Sequence, residues 1–253
     1  MEQREVFHLV FLRLFASRIK PNSYVLKGGV NLRFFFGSVR YSEDMDLDVK
    51  GIDVYLLKEI VMETLSSKVL LLGLRPFQID DVVLPDMKVA KQTETTQRFK
   101  VHLLTATGED LFTKIEFSRR KFEESVSTES ISEKVLKHYK LPPLLISHYK
   151  ADAAMLQKIR ALADRSLTQA RDIFDLFVLL SQVEEVEHLS KAIPRKTLER
   201  AYKNVFDLEF AAFRDTVLSY LGKDDQKMYG RKEVWEDVQL KVAHLIEGLM
   251  KDG

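Results

Sequence analysis

Residues 40–49 read RYSEDMDLDV, and the second half of this segment alternates strictly between acidic and apolar residues. The acidic residues are Asp44, Asp46 and Asp48, and the apolar ones are Met45, Leu47 and Val49. In a β-strand, residues at a spacing of two point to the same face of the sheet. The segment therefore predicts a strand whose apolar face packs on a core and whose other face carries three carboxylates.

Carboxylates aligned on one face repel each other, so the pattern needs a physical explanation. A bound divalent cation provides one, because Mg²⁺ prefers oxygen ligands and is held by one or two carboxylates together with substrate phosphates. We expect Asp44 and Asp46 to hold Mg²⁺, with Mn²⁺ as the alternative ion. Asp48 is expected to support these two ligands without binding the metal itself. Glu116, a lone acid in the alternating segment 113–117, is a candidate further metal ligand. A charged, solvated edge strand is the structural alternative for all four acids.

A glycine pair precedes this strand in Lys27-Gly28-Gly29, between the apolar run 24–26 and a helical segment that begins near Val30. Glycine lets the backbone approach a phosphate without a Cβ, and a helix N-terminus attracts negative charge. The pair is thus a candidate nucleotide-binding turn, although glycine pairs also occur in ordinary tight turns.

The whole chain has 253 residues, a formal net charge of +1 and no cysteine. Disulfides and thiolate metal sites are therefore excluded, and a generalised basic surface that coats nucleic acid is not expected. No apolar run is long enough for a membrane helix, and residues 1–20 indicate an amphipathic helix with Val6, Val10, Leu14 and Phe15 on one face. A cytoplasmic location is the resulting expectation.

The remaining pattern predicts an α+β chain with a mixed, helix-flanked β-sheet in residues 1–146 and a mostly helical part in residues 147–253. A helix is expected at 53–68, strands near 74–80, 98–105 and 113–117, and an irregular segment from there to Pro142-Pro143. Trp235 is expected in the core or an interface, and His138 and His148 at the surface or in packing.

Two motifs resemble one family of enzymes. Residues 26–33 (LKGGVNLR) and 40–48 (RYSEDMDLD) resemble the AbiEii/MenA-type nucleotidyltransferases of the DNA polymerase β-like superfamily. Residues 156–176 resemble that family's downstream helical segment, in which a lysine and an arginine precede an Arg-Asp-φ-φ-Asp-Leu pattern (φ apolar). Both motifs occur in the order the family shows, and together they span about residues 24–180.

The resemblance implies a nucleotidyltransferase fold, a helical part that packs on it and completes the active site, and a role as a toxin in toxin–antitoxin or phage defence. Nucleotides would pass from a nucleoside triphosphate to an RNA acceptor, expected to be the 3′ end of transfer RNA. A cognate antitoxin is a further expected partner, and no membrane is. There are two competing hypotheses. In one, the enzyme modifies a protein or a small molecule; in the other, the protein has the fold but no catalytic activity.

The resemblance also assigns roles to particular residues. It places the metal on Asp44 and Asp46, and it gives Lys158 and Asp172 catalytic roles, with Asp175 as the alternative acid. The expected nucleotide-binding residues are Lys27, Gly28, Gly29, Arg40, Ser42, Lys158, Arg165 and Arg171.

Several basic residues have structural alternatives. Lys158 and Arg160 could both lie on the solvated side of a helix, and Arg171 could form a surface ion pair with Asp175. The turn Arg119-Arg120-Lys121 is a candidate RNA-backbone contact, with a plain solvated turn as its alternative.

Overall fold

The computed structural model describes residues 1–88, 90–119, 125–183 and 187–251. The chain divides into two compact units: residues 1–35 with 41–149, and residues 36–40 with 150–253. The first unit contains seven strands: β1 (Tyr24–Lys27), β2 (Asp44–Val49), β3 (Ile79–Val83), β4 (Thr96–Thr105), β5 (Asp110–Ser118), β6 (Val126–Ser130) and β7 (Leu145–Tyr149). Its helices are α1 (Glu2–Ala16), α2 (Gly28–Phe35), α3 (Val54–Leu65), α4 (Lys68–Leu74) and α5 (Glu133–His138).

The strands form one mixed sheet in the order β3-β4-β5-β2-β1-β7-β6. The pairs β2–β5 and β1–β7 are parallel, and the other neighbours are antiparallel. The acidic strand β2 therefore lies in the middle of the sheet. This excludes the alternative of a charged edge strand and confirms the predicted α+β fold with a mixed sheet.

The helix α1 is the centre of the core of this unit. It packs against α3 and α4 on one side, and its Phe15 contacts Phe117 of β5 on the other, with ring centroids 5.4 Å apart. The prediction of a single apolar face is wrong. Phe7, Leu9, Phe11 and Leu12 are buried as well, because a helix covered on both sides must be apolar almost all round.

The second unit is helical in its described residues. Its helices are α6 (Ala151–Asp164), α7 (Ala170–Leu179), α8 (Glu187–Ser190), α9 (Arg195–Val205), α10 (Phe210–Thr216), α11 (Lys223–Tyr229) and α12 (Lys232–Lys251). The helix α6 packs on α7 and α9, and α12 packs on both of those helices. Trp235 is buried and stacks on Phe213 with ring centroids 4.5 Å apart, which confirms its predicted place in the core.

Three local predictions differ from the structure. Residues 68–74 form α4, and the strand expected near 74–80 runs from Ile79 to Val83 instead. The segment expected to be irregular contains β6 and α5. The boundary expected after residue 146 falls inside β7, whose pairing partners β1 and β6 are not visible in a local pattern. None of the described helices is both long and apolar enough to cross a bilayer.

Candidate active site

The turn between β1 and α2 brings the backbone of Gly28 against the acidic strand. Gly28 has φ +71°, a left-handed conformation that residues with a Cβ rarely adopt. A Cβ built on Gly28 would lie 2.9 Å from Asp46 Oδ2. Two independent constraints therefore require glycine here, and Gly29 follows in the first turn of α2.

The acidic strand has the two faces that its alternation predicts. Met45, Leu47 and Val49 are buried in the core, whereas Asp44 and Asp46 are only partly buried on the opposite face. Ser42 lies just before the strand, and its hydroxyl donates a 2.9 Å hydrogen bond to the backbone carbonyl of Asp44. The structure thus places Ser42 at the start of β2, where it fixes the backbone that carries the first aspartate.

The strand register surrounds these acids with basic residues. On β5, Lys114 lies opposite Asp44 and Glu116 lies opposite Asp46. Lys27 of β1 is also opposite Asp46, and on β4 Arg98 and Lys100 lie opposite Glu116 and Lys114. Register partners share a sheet face, so four basic and four acidic side chains meet on one surface. We call this surface the charged sheet face; its members are Lys27, Arg98, Lys100, Lys114, Asp44, Asp46, Asp48 and Glu116.

Ion pairs connect members of the charged sheet face. Lys114 Nζ lies 3.0 Å from Asp44 Oδ2, and Arg98 Nε lies 2.5 Å from Glu116 Oε2. Lys27 Nζ lies 2.5 Å from Asp48 Oδ1. Lys114 and Arg98 were not identified from the sequence, because their relation to the aspartates depends on pairing between strands far apart in the chain.

Asp46 is the acid of this face whose charge is least favourable. Burial raises the pKa of Asp46, and the nearby carboxylates of Glu116 and Asp44 add to the increase. Lys27 and Lys114 act in the opposite direction but do not cancel it. An additional cation beside Asp46 would therefore stabilise its ionised form.

Asp48 differs from the other two aspartates because it is buried. It accepts a 2.7 Å hydrogen bond from the Tyr149 hydroxyl in addition to its ion pair with Lys27. These contacts join β2 to β1 and to the end of β7. Asp48 is thus a structural anchor, and through it Lys27 is held beside the glycine turn.

The residues of this face fit a metal ion that a nucleotide helps to hold. Among the described residues, no group of three or more histidine, cysteine, aspartate or glutamate side chains is arranged to bind a metal. Glu116, the candidate further ligand, forms an ion pair with Arg98, as Asp44 does with Lys114, so its role as a ligand stays a prediction. Asp44 and Asp46 lie on one face of β2, and two carboxylates completed by phosphate oxygens are a usual donor set for Mg²⁺.

The second unit contains a separate, buried charge cluster. Lys158 of α6 lies between two fully buried aspartates of α7: its Nζ is 2.9 Å from Asp172 Oδ1 and 2.6 Å from Asp175 Oδ2. Arg40 Nη2 donates hydrogen bonds to both carboxylate oxygens of Asp175, at 2.9 Å to Oδ1 and 3.0 Å to Oδ2. Arg165 Nε lies 2.8 Å from Asp172 Oδ2.

The charges of this cluster support one another. Burial alone would lower the pKa of Lys158, but Asp175 and Asp172 outweigh it and raise the pKa. Burial alone would raise the pKa of Asp175, but Arg40 and Lys158 outweigh it and lower the pKa. Asp172 and Asp175 are equally buried, so each remains a candidate for the functional acid.

Several structural alternatives for the basic residues are now decided. Only 13% of the Lys158 side chain is exposed and it pairs with two buried aspartates, so the solvated-helix alternative is wrong for it, whereas Arg160 is exposed. Arg171 is exposed while Asp175 is bound to Arg40 and Lys158, so the alternative of an Arg171–Asp175 surface pair is also wrong.

The basic turn 119–121 lies only partly within the described residues. Arg119 Nη1 donates to the carbonyl of Ile52, and its Nη2 donates to Gln97 Oε1 at 2.6 Å. The side chain of Arg119 is thus engaged within the unit. Arg120 and Lys121 lie outside the described residues.

Solved structures with a similar fold include nucleotidyltransferases. The chain resembles MenT4, a nucleotidyltransferase toxin from Mycobacterium tuberculosis, with a TM-score of 0.63 and 16% identity over 96% of this chain and 82% of that one. A Helicobacter pylori protein described as a candidate nucleotidyltransferase gives 0.56 and 21% identity over 99% and 94%. JHP933, also from H. pylori, gives 0.50 and 21% over 98% and 90%. These matches show a nucleotidyltransferase fold.

The sequence profile of one family covers most of the chain. The family described as "Nucleotidyl transferase AbiEii toxin, Type IV TA system" matches residues 11–231. No curated protein matches the chain in sequence. The chain belongs to the AbiEii family of nucleotidyltransferase toxins.

Proposed function

We propose that this protein is a metal-dependent toxin that transfers nucleotides from a nucleoside triphosphate to an RNA acceptor, expected to be the 3′ end of transfer RNA. The observation that carries the proposal is the contact between the Gly28 backbone and Asp46 on the charged sheet face. This contact sets a glycine turn suited to phosphate beside a pair of carboxylates suited to Mg²⁺. Family membership supports the transfer activity, and the RNA acceptor rests on the resemblance alone.

The residues of the first unit have distinct roles in this proposal. Asp44 and Asp46 hold Mg²⁺ or Mn²⁺, which when bound would neutralise phosphate charge and promote attack by the acceptor hydroxyl. Gly28 and Gly29 leave the backbone accessible to phosphate, and Ser42 keeps Asp44 in position. Lys27 provides positive charge next to the turn while bound to Asp48.

The roles of the second unit stay predictions. We expect the triphosphate to be bound by Lys158, Arg40, Arg165 and Arg171. Either Asp172 or Asp175 is expected to be the functional acid, and the unit is expected to complete the active site. A cognate antitoxin and a cytoplasmic location are proposed on family membership.

The direct test is a transfer assay. Purified protein is incubated with Mg²⁺, total transfer RNA and each labelled nucleoside triphosphate in turn, beside Asp44→Ala and Asp80→Ala. Asp80 is an exposed aspartate of β3, so its variant controls for the loss of a strand carboxylate away from the proposed site. We expect label in RNA with the unmodified protein and with Asp80→Ala, and none with Asp44→Ala.

Three other outcomes would change the proposal. Nucleotide binding without label in RNA would contradict the RNA acceptor and favour a protein or small-molecule acceptor. Equal transfer by Asp44→Ala and the unmodified protein would refute the role of the aspartate pair. The absence of both binding and transfer would favour a catalytically silent fold.

A further inference from the structure

We propose that Lys114 is a resident counter-ion of the metal site: it neutralises Asp44 in the empty protein and binds nucleotide phosphate once the metal has taken its place. The inference rests on the proposed function, since it assigns a role toward the same metal and triphosphate. It adds to that site a residue to which neither the motifs nor the family assigned a role.

The first argument for this role of Lys114 is its position between two acids. Its Nζ lies 3.0 Å from Asp44 Oδ2 and 3.9 Å from Glu116 Oε2, between the acids of two adjacent strands. Both members of the Lys114–Asp44 pair are accessible, with 25% and 32% of their side chains exposed. A cation entering from solvent would therefore meet an aspartate whose oxygen already has an ammonium partner.

The second argument for this role of Lys114 is the charge balance of the charged sheet face. Lys27, Arg98, Lys100 and Lys114 match Asp44, Asp46, Asp48 and Glu116 in number, so the face is neutral without a ligand. A divalent ion alone would leave the face with two excess positive charges. A triphosphate carries more than enough negative charge to offset this excess, and the ammonium released from Asp44 is then available to phosphate oxygens.

Three of the four basic residues are less suited to this exchange than Lys114. Lys27 is held by the buried Asp48, and Arg98 is bound to Glu116. Lys100 is exposed on β4, with Lys114 between it and Asp44. Lys114 alone of these four pairs with one of the two proposed metal ligands, and a lysine on its flexible stem can turn from one partner to another.

The test compares Lys114→Met with Lys100→Met in the full-length protein. Mn²⁺ affinity is measured by titration calorimetry without nucleotide, and affinity for a non-hydrolysable nucleoside triphosphate is then measured at saturating Mn²⁺. We expect Lys114→Met to bind Mn²⁺ more tightly and the nucleotide more weakly, each by roughly fivefold, as the loss of one partly exposed charge pair would give. Lys100→Met should change either affinity by less than about twofold.

Opposite changes in the two affinities are the signature of the exchange. If Lys114→Met weakens both ligands, or leaves Mn²⁺ affinity unchanged, Lys114 is an ordinary cross-strand ion-pair partner and the inference is wrong. Lys114→Gln provides a second variant, which is uncharged but polar. Circular dichroism verifies that both Lys114 variants are folded. If the unmodified protein binds no Mn²⁺ even with nucleotide present, the proposed function itself fails, and the inference fails with it.

Discussion

Gly28 and Asp46 lie so close together that a Cβ built on Gly28 would stand 2.9 Å from Asp46 Oδ2. The glycine turn and the acidic strand therefore constrain each other and are not two separate motifs. This close approach and the positive φ of Gly28 both explain why a glycine occurs directly after β1, at the start of α2.

Two glycine variants distinguish the effect of backbone strain from the effect of the close approach to Asp46. Gly28→Ala should lose on the order of 1–2 kcal/mol of unfolding free energy from the left-handed conformation. It should also displace the Asp46 carboxylate and so abolish nucleotide transfer. Gly108→Ala is the matched control, because Gly108 has φ +82° and nothing within 4 Å of a built Cβ. Urea unfolding and the transfer assay should show similar stability losses but lost activity only in Gly28→Ala; equal activities would contradict the argument.

Replacement of Lys158 should show how strongly the second unit depends on its buried charges. Lys158→Met leaves the fully buried Asp172 and Asp175 without a shared partner, which should cost about 3–5 kcal/mol of unfolding free energy. Arg160→Met, at an exposed position of the same helix, should stay within about 0.5 kcal/mol. Urea unfolding measures both, and similar small effects would mean that the cluster is not a stabilising unit.

The same two variants test whether Lys158 also acts in catalysis. Transfer should be assayed at a temperature where circular dichroism shows that both variants are folded. The predicted role in triphosphate binding requires that Lys158→Met raises the KM for the nucleotide far more than Arg160→Met does. Equal KM values in the folded variants would leave Lys158 with its structural role alone.

His8 should make the stability of the first unit depend on pH. Its ring is buried in α1, its Nε2 lies 3.1 Å from Thr113 Oγ1, and burial followed by the charge of Arg4 lowers its pKa from 6.5 to about 3. A lowered folded-state pKa means that the stabilisation is complete above pH 6.5 and is lost as the pH falls from 6.5 towards 3. The contribution to the slope should approach about 1.4 kcal/mol per pH unit inside that window.

The variant His8→Gln should remove this contribution and flatten the dependence of unfolding free energy on pH between 6.5 and 3. His138→Gln is the control for the loss of an imidazole, since the side chain of His138 is more than half exposed. Urea unfolding at several pH values measures both variants. An unchanged slope in His8→Gln would show that the imidazole is accessible to protons in the folded protein.

Local features of the site were predictable because they depend on local sequence. The alternation over 44–49 defines β2 and its two faces, and the glycine pair marks the turn before α2. The downstream motif also pointed to Lys158, Asp172 and Asp175, which the structure brings together.

Features that depend on pairing between distant segments were not predictable. Lys114 and Arg98 look like ordinary strand residues until β5 lies between β2 and β4. The complete burial of α1 follows from layers on both of its sides, which no helical periodicity can reveal. The strand β7 was not predicted for the same reason, since it pairs with β1, which lies near the other end of the unit in sequence.

The central position of β2 also has a consequence for when the protein can become active. Its parallel partner β5 begins more than sixty residues later in the chain, and β7, which completes the other side through β1, ends only at Tyr149. Such long-range contacts form slowly, because each closes a large loop before it gains any stability. A nascent chain that has emerged only as far as β2 has neither Lys114 nor Glu116 beside its aspartates. For a toxin, the topology itself thus delays the assembly of the candidate active site until most of the first unit has been synthesised.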